Sequence, residues 1–392
     1  MALLPLYIPK NKQLKIVIVG GGYAGIAALT TLRRYNAEAE ITLIDPRVDH
    51  LKITHLHETF RYPLSDFKIP YTVLEQRFNC RHIRGALSID SLQLQQWQQN
   101  RAVQMEDVII PFDYLLIASG ARAANISDTD TDDLVSKNVL RLEDFYATSG
   151  ADLLAGFLAT RKNDKSYLSV IGGGATGIQF LFELAGYLYR HRINHGLRLI
   201  DDKERVLQQF PAGFSQYVEK RMLELDIEFY PEARFLAQQT DKLLLEDKIN
   251  GRRIELPSIL SLIFTGNRQD NLLKTNLFGQ VRVDGKTLSR IFAAGDCSAY
   301  QAAGSNTMTA QAAVRKGKLA ARNILRHSGL LKVMEPYLHR DLGYVVNLGP
   351  EDAVGWLAIE NNIVTGAPAQ IIKEIVEAQY DLLLSGVDTY LI

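Results

Sequence analysis

The chain has 392 residues, and its 44 Lys+Arg balance 44 Asp+Glu. A zero formal charge leaves no electrostatic case for binding nucleic acid. The two cysteines, Cys80 and Cys297, have no paired spacing, which excludes a disulfide framework and fits a reducing, cytoplasmic setting. The length allows two or three domains. No stretch approaches the ~18 to 20 uninterrupted apolar residues of a membrane span. Met1 to Lys15 lacks the basic lead of a signal peptide, so any membrane contact is expected to be peripheral.

In chain order, the first informative stretch is Ile16-Val17-Ile18-Val19, a run of the kind found in buried parallel strands. It feeds Gly20-Gly21-Gly22-Tyr23-Ala24-Gly25 and then an apolar helix start. Gly20, Gly22 and Gly25 form G-x-G-x-x-G. The first glycine permits the tight turn, the second lets backbone approach a pyrophosphate, and the third lets helix pack on strand. The open helix N-terminus then offers amides and a positive dipole end to phosphates. A second run, Ile41 to Ile44, ends in Asp45, twenty residues beyond Gly25. A βαβ unit places an acidic residue there, against a ribose hydroxyl.

Residues 46–70 read as irregular, with histidines at His50, His55 and His57. No metal is expected, because cysteine and a second acidic cluster at ligand spacing are missing. Such histidines more often line a cleft or sit on a surface. Tyr71 to Phe78 reads as a helix, and Arg81 to Asp113 as short β elements. Phe112 to Gly120 reads as a buried strand stopped at Ser119-Gly120. Asp128, Asp130, Asp132 and Asp133 then fall in a stretch without the glycine and terminal glutamate of a calcium loop, so it reads as a solvated linker. Asp144 to Arg161 reads as largely helical.

The strand-and-glycine device then recurs. Leu168 to Ile171 leads into Gly172-Gly173-Gly174-Ala175-Thr176-Gly177, with glycines at Gly172, Gly174 and Gly177. The run Leu197 to Ile200 ends in Asp201. Two complete fingerprints imply two dinucleotide sites, and two dinucleotides in one chain most simply exchange electrons. Lys203 to Tyr230 is helical in part. Phe235 to Leu256 has hairpin character around the Asn250-Gly251 turn, and Ser261 to Gly266 closes the unit. Ser289 to Ala294 is a further strand, ending in Gly295-Asp296-Cys297. The helix Thr309 to Arg326 carries a basic stripe, Arg315, Lys318, Arg322 and Arg326, whose default reading is a solvated face. Strands are expected near Gly343–Leu348 and Gly355–Ile359, with a last helix from about Pro368 to Leu384.

This ordered set resembles the flavoprotein pyridine nucleotide oxidoreductases with two dinucleotide-binding domains. The resemblance implies an α/β fold of two Rossmann-like, glutathione-reductase-like domains plus a small C-terminal α+β domain. The FAD domain would be discontinuous, over 12–125 and 286–330, with the nicotinamide domain at 140–285 and the C-terminal domain at 331–392. It also implies FAD at Gly20, Gly22, Gly25, Asp45, Ser119, Gly120, Gly295, Asp296, Ala310 and Gln311, with Asp296 on the ribityl chain. The nicotinamide dinucleotide would lie at Gly172, Gly174, Gly177, Gln179, Asp201 and Gly266. Residues 46–79 lack the cysteine pair of the disulfide reductases.

Three stretches are similar to the type II NADH dehydrogenases, the single-chain NADH:quinone reductases. These are His50 to Glu58, Thr309 to Gly317 and Val346 to Gly355. The implied reaction is hydride transfer from NADH to FAD, then two-electron reduction of a quinone. The alternatives are a soluble NAD(P)H-dependent flavin reductase with another small acceptor, and a nicotinamide-sensing flavoprotein like the apoptosis-inducing ones. Two positions depart from the family: Gln179 stands where a glutamate is usual, and Arg315 where a glutamine is usual. No protein acid or base is compulsory, and Gln179 and Gln311 are the candidates beside the flavin. Asp201 favours NADH over NADPH, since a carboxylate repels a 2′-phosphate, although Lys203 and Arg205 stand nearby. In the last helix, Ile371, Ile372, Ile375, Val376 and Leu383 form an apolar side opposite Lys373, Glu374, Glu377 and Asp381. Peripheral membrane contact, packing on the chain itself and a homodimer all remain open for it.

Overall fold

The run around Ile16 forms the strand Lys15–Val19 and sits inside a sheet, as its all-apolar character demands. The computed structural model describes residues 13–105, 108–121, 138–159, 166–266, 272–301, 307–331, 333–338, 343–357 and 359–390. The aspartates between Asp128 and Asp133 lie outside the described residues. The α-helices are α1 (Tyr23–Tyr35), α2 (Tyr71–Phe78), α3 (Ser91–Asn100), α4 (Gly150–Ala159), α5 (Ala175–Arg190), α6 (Ala212–Glu224), α7 (Ala310–His327) and α8 (Ala367–Ser385).

Two sheets repeat one plan. In the first, Lys15–Val19 lies between Glu40–Asp45 and Tyr114–Ile117, parallel to both, with Ile16 opposite Ile41 and Tyr114. Lys286–Ala293 and Arg81–Arg84 extend this parallel core on either side. In the second, Tyr167–Ile171 lies between Gly196–Ile200 and Leu260–Ile263, flanked by Ile227–Tyr230 and Val139–Arg141, all parallel. Lys15–Val19 and Tyr167–Ile171 each end at a glycine turn, so both turns stand at carboxyl ends of parallel strands, where such sheets bind ligands.

The chain returns to the first sheet earlier than residue 286. Leu273–Thr275 and Gln280–Val283 already belong to its eight strands. The reason is local pairing: Gln280–Val283 runs antiparallel to Lys286–Ala293 across a tight turn, so the two cannot be divided. The stretch 81–113 also differs from the expected β elements, since Ser91–Asn100 is helix α3, capped by Asp90 accepting from the Gln93 amide at 2.8 Å. An antiparallel sheet of Ala233–Gln238, Lys242–Asp247 and Arg253–Pro257 is inserted along the chain between two strands of the second parallel sheet, Ile227–Tyr230 and Leu260–Ile263, and turns at Gly251.

The C-terminal strands Gly343–Asn347, Ala353–Leu357 and Ile359–Thr365 form an antiparallel sheet against which α8 packs. This small α+β unit divides its apolar residues between two cores. Val346, Val354 and Trp356 join the core around α5 and the second sheet. Tyr380, Leu383 and Leu384 join the core around α1 and the first sheet. The unit therefore spans both halves.

The basic stripe of α7 is not a solvated face. Lys318 is buried and pairs with Asp388 at 2.8 Å, while Arg322 and Arg326 both bond Glu335. The chain beyond α7 supplies acidic groups that cover the stripe, and these are not visible in the helical periodicity.

The candidate dinucleotide sites and the cavity between them

The two glycine turns superpose in chemistry atom by atom. Gly20 has φ +103° and its amide donates to Ile44 O at 2.8 Å; Gly172 has φ +108° and donates to Ile200 O at 2.8 Å. A side chain at either position meets backbone, a Cβ falling 2.3 Å from Ala118 O or from Phe264 O. Gly25 and Gly177 lie against Gly20 O and Gly172 O, each 1.9 Å from an added Cβ, so each helix presses directly on its strand. Gly22 and Gly174 differ from these: an added Cβ meets nothing within 4 Å. Each caps its helix without a side-chain hydrogen bond, and neither helix has an acidic residue in its first turn. The space before both helix N-termini is thus open and electropositive, which suits a phosphate.

The acidic residues that close the two βαβ units hold the loops from behind. Asp45 is buried and accepts from the Gly21 amide at 2.7 Å, and Arg47 grips both of its oxygens at 3.0 Å. Burial disfavours its charge, but Arg47 and the Gly21 amide outweigh that and hold the carboxyl below its ordinary range. Asp201 accepts from the Gly173 amide at 2.9 Å. Burial and neighbouring Asp202 push its carboxyl up, against that amide.

Both turns open on one cavity of about 1980 Å³. Gly20, Gly22, Asp45, Ser119, Gly120, Gly295, Asp296, Ala310 and Gln311 line it from the first half. Gly174, Gln179 and Gly266 line it from the second. Gly25, Gly172, Gly177 and Asp201 stand behind the wall rather than on it. Asp296 is the telling residue there. Its Oδ1 is buried without a hydrogen-bond partner among the described residues. Burial pushes its carboxyl up to about 6, with Lys316 acting against this. A buried carboxylate oxygen with no donor costs free energy unless something in the cavity supplies one. Nearby, α7 begins at Ala310, its first turn capped by Thr309 accepting from the Ala312 amide at 3.1 Å.

Two of the histidines read as lining a cleft or sitting on a surface do line this cavity, and sequence reasoning missed the charged partners that α8 brings to them. The segment Ile53–Phe60 lies between the two halves and brings His55 and His57 to the wall. His57 is buried, its Nε2 unpartnered among the described residues, and burial and then Lys373 hold its pKa well below the ordinary value. Opposite, α8 presents Ile372, Lys373, Val376, Glu377 and Tyr380 to the cavity. Lys373 is buried and bonds Glu58 at 3.1 Å and Glu377 at 2.6 Å. His55, Glu58 and Glu377 approach one another as ligands of a metal would, but the Lys373 ammonium already bridges the two carboxylates. The helix therefore buries Lys373 together with Tyr380, Leu383 and Leu384, and leaves Ile371, Ile375 and Leu382 exposed.

Comparison with known proteins now decides the family. A family model described as pyridine nucleotide-disulphide oxidoreductase matches residues 14–317. The chain belongs to this family. It is an NAD(P)H oxidoreductase, although its two cysteines are both free and Cys297 is buried. The chain is similar over nearly all its length to type II NADH:quinone oxidoreductases. That of Staphylococcus epidermidis is 26% identical over 408 residues, covering 95% of this chain and 96% of the relative. That of Staphylococcus aureus is 24% identical over 405 residues, with the same coverage. Among solved structures, NDH2 from Plasmodium falciparum in complex with NADH aligns with TM-score 0.78 at 15% identity, over 96% of both chains. The sulfide:quinone oxidoreductase of Aquifex aeolicus aligns with TM-score 0.76 at 20% identity, over 96% of this chain and 93% of that one. Both solved structures share the overall fold of this chain.

Proposed function

We propose that the protein is an FAD-dependent NADH:quinone oxidoreductase, catalysing NADH + H⁺ + quinone → NAD⁺ + quinol. The observation that carries this reading is the single cavity onto which both uncapped helix N-termini open, with the partnerless Asp296 oxygen on its wall. FAD would supply the two-electron redox chemistry that side chains lack. Gly20, Gly22 and the amides of α1 would hold its pyrophosphate, with Gly25 keeping α1 against the strand. Asp45 and Arg47 would lie at its adenosine end, Ser119, Gly120, Gly295 and Asp296 along its ribityl chain, and Ala310 and Gln311 at its ring. The first turn of α7 would stabilise negative charge there by about 0.3 to 2 kcal/mol. The eight-stranded sheet would be the flavin domain and the five-stranded sheet the nicotinamide domain.

Gly174 and the α5 amides would hold the NADH pyrophosphate, with Gly172 and Gly177 shaping the turn, Gly266 beside it and Gln179 at the nicotinamide. Gln179 orients without carrying charge, so positioning rather than proton transfer would be its contribution. NADH is favoured over NADPH because Asp201 and Asp202 put negative charge close behind the second turn, where it would repel a 2′-phosphate. Arg205, the first arginine after Asp201 in sequence, is occupied by Ser215 Oγ at 2.6 Å and by the Gln208 and Phe210 carbonyls, not left open for a 2′-phosphate.

The relatives named as quinone reductases support quinone as acceptor, and Ile372 and Val376 give its side of the cavity an apolar lining. No helix among the described residues is long and apolar enough to cross a membrane. The exposed Ile371, Ile375 and Leu382 favour peripheral seating on a cytoplasmic membrane face, and co-flotation with lipid vesicles tests it. Sedimentation as a dimer with no flotation would assign this face to a second copy instead. For the reaction, turnover of flavin-loaded protein is measured with NADH and a short-chain quinone. Oxidation of NADH matched by quinol formation is expected. Oxidation of NADH by dyes but not by quinones would make the protein a diaphorase with another acceptor.

A further inference from the structure

His50 is the one histidine of its segment that does not face the cavity. It is fully buried, with Nδ1 2.8 Å from Gly21 O and Nε2 3.0 Å from the Tyr380 hydroxyl on α8. The chemistry of these contacts leaves one arrangement. A backbone carbonyl only accepts, so Nδ1 carries the proton and donates to Gly21 O. Burial holds the ring's pKa down at about 4, against the Gly21 hydrogen bond, so the imidazole is neutral near pH 7. Nε2 is therefore an acceptor, and the Tyr380 hydroxyl donates to it.

The consequence lies one peptide further on. Tyr71 also donates to Gly21 O, at 3.0 Å, and the Gly21 amide donates to Asp45. The middle glycine is thus fixed at both polar atoms by three side chains and the His50 ring is one of them. The peptide bond joining Gly21 to Gly22 is planar and trans, since the described residues contain no cis bond. In such a unit the carbonyl and the following N–H point in opposite directions. Holding Gly21 O toward His50 and Tyr71 therefore turns the Gly22 N–H the other way, and Gly22 lies on the cavity wall.

We propose that His50 and Tyr380 are positioning residues for the first dinucleotide site. Tyr380 sets the tautomer of His50, and His50 locks the Gly21 carbonyl so that the Gly22 amide faces the ligand's pyrophosphate. The terminal helix, more than three hundred residues away in sequence, is by this route part of the phosphate-binding loop. The proposal rests on the reading that a flavin dinucleotide occupies this site. It extends that reading to residues outside the glycine fingerprint.

The test follows flavin release from full-length holoprotein, by the rise of free-flavin fluorescence on dilution, well below the unfolding temperature. Tyr380→Phe is expected to speed release about 3- to 10-fold, the equivalent of one neutral hydrogen bond. His50→Leu is expected to speed it by more than that. His50→Asn, whose amide can still donate to Gly21 O, is expected to recover part of the loss, and adding Tyr380→Phe to it should change nothing further. Leu383→Ala strips apolar burial from the same helix and should lower the unfolding temperature while leaving release at the wild-type rate. Unchanged release in Tyr380→Phe overturns the proposal. So does release in Leu383→Ala as fast as in Tyr380→Phe, because general loosening of α8 would then explain both. Wild-type protein that retains no flavin at all would instead sink the reading of the site itself, and the proposal with it.

Discussion

Substituting Gly22 by alanine separates a binding role from a folding role. Gly22 has φ −79° and ψ −166°, a conformation alanine adopts freely, and an added Cβ meets nothing within 4 Å. The folded protein has no steric objection to the change. Restricting the unfolded chain should even stabilise the flavin-free protein, by about 0.4–1 kcal/mol. The empty space is where a phosphate would approach the backbone, however. A methyl group there pushes the phosphate off the Gly22 and α1 amides. Losing one or two hydrogen bonds to a charged group costs about 1.5–3 kcal/mol each. A total of about 2–4 kcal/mol weakens flavin binding roughly 30- to 1000-fold, at about 1.4 kcal/mol per factor of ten. Gly20→Ala is the contrast. With φ +103° and Ala118 O 2.3 Å from the new Cβ, strain and overpacking should destabilise the fold by about 2–5 kcal/mol. The assay pairs flavin content after purification with thermal unfolding of the stripped proteins. Gly22→Ala should lose flavin and keep its melting temperature, while Gly20→Ala should lose both. Full flavin occupancy in Gly22→Ala would refute the assignment of this turn to the pyrophosphate.

Other consequences are equally direct. Asp201→Ser should raise the ratio of NADPH to NADH kcat/KM by about tenfold, by removing a charge that repels a 2′-phosphate; an unchanged ratio would remove Asp201 from the coenzyme choice. Arg61→Met should destabilise the protein by about 3–5 kcal/mol in denaturant titrations, since it strips the partner, 2.8 Å away, from the fully buried Glu183 carboxylate. Stability should also fall on acidification below neutrality. Unfolded His50 takes up a proton near its ordinary pKa of about 6.5, whereas the folded ring refuses one until about 4, so lowering the pH favours the unfolded chain. The difference amounts to about 2 kcal/mol at pH 5, and His50→Asn should flatten the stability profile between pH 7 and pH 5 by that amount. An equal slope in the variant would assign the acid sensitivity to other groups.

What could be read from the sequence was local. The two glycine turns are written in a few consecutive residues, because a left-handed φ, a close helix contact and an open face each demand glycine at a fixed spacing. The strands feeding them are equally plain, since burial on both faces makes them uniformly apolar. Helix α3 was hidden because Leu92 and Leu94 alternate like a strand; Leu94 and Trp97 are its buried pair, and Asp90 was the cap that could have revealed it. The basic stripe of α7 misled, and the charged side of α8 left its contacts open, for one reason. Their partners, Glu335, Asp388, Glu58 and Lys52, come from other parts of the chain, and periodicity says which residues share a face, not what covers it. The contact from His50 to Tyr380 spans almost the whole chain, and no local pattern encodes it.

The central claim is that one cavity passes electrons from a nicotinamide to a quinone. Anaerobic double-mixing stopped flow tests it most directly, with flavin-loaded protein mixed first with NADH and then with a short-chain quinone. The account predicts rapid bleaching of the visible flavin absorbance in the first mix and its return in the second, with NADPH slower than NADH in the first step. Bleaching by NADH that persists after quinone is added would contradict quinone as the acceptor, and no bleaching with either coenzyme would contradict the account as a whole.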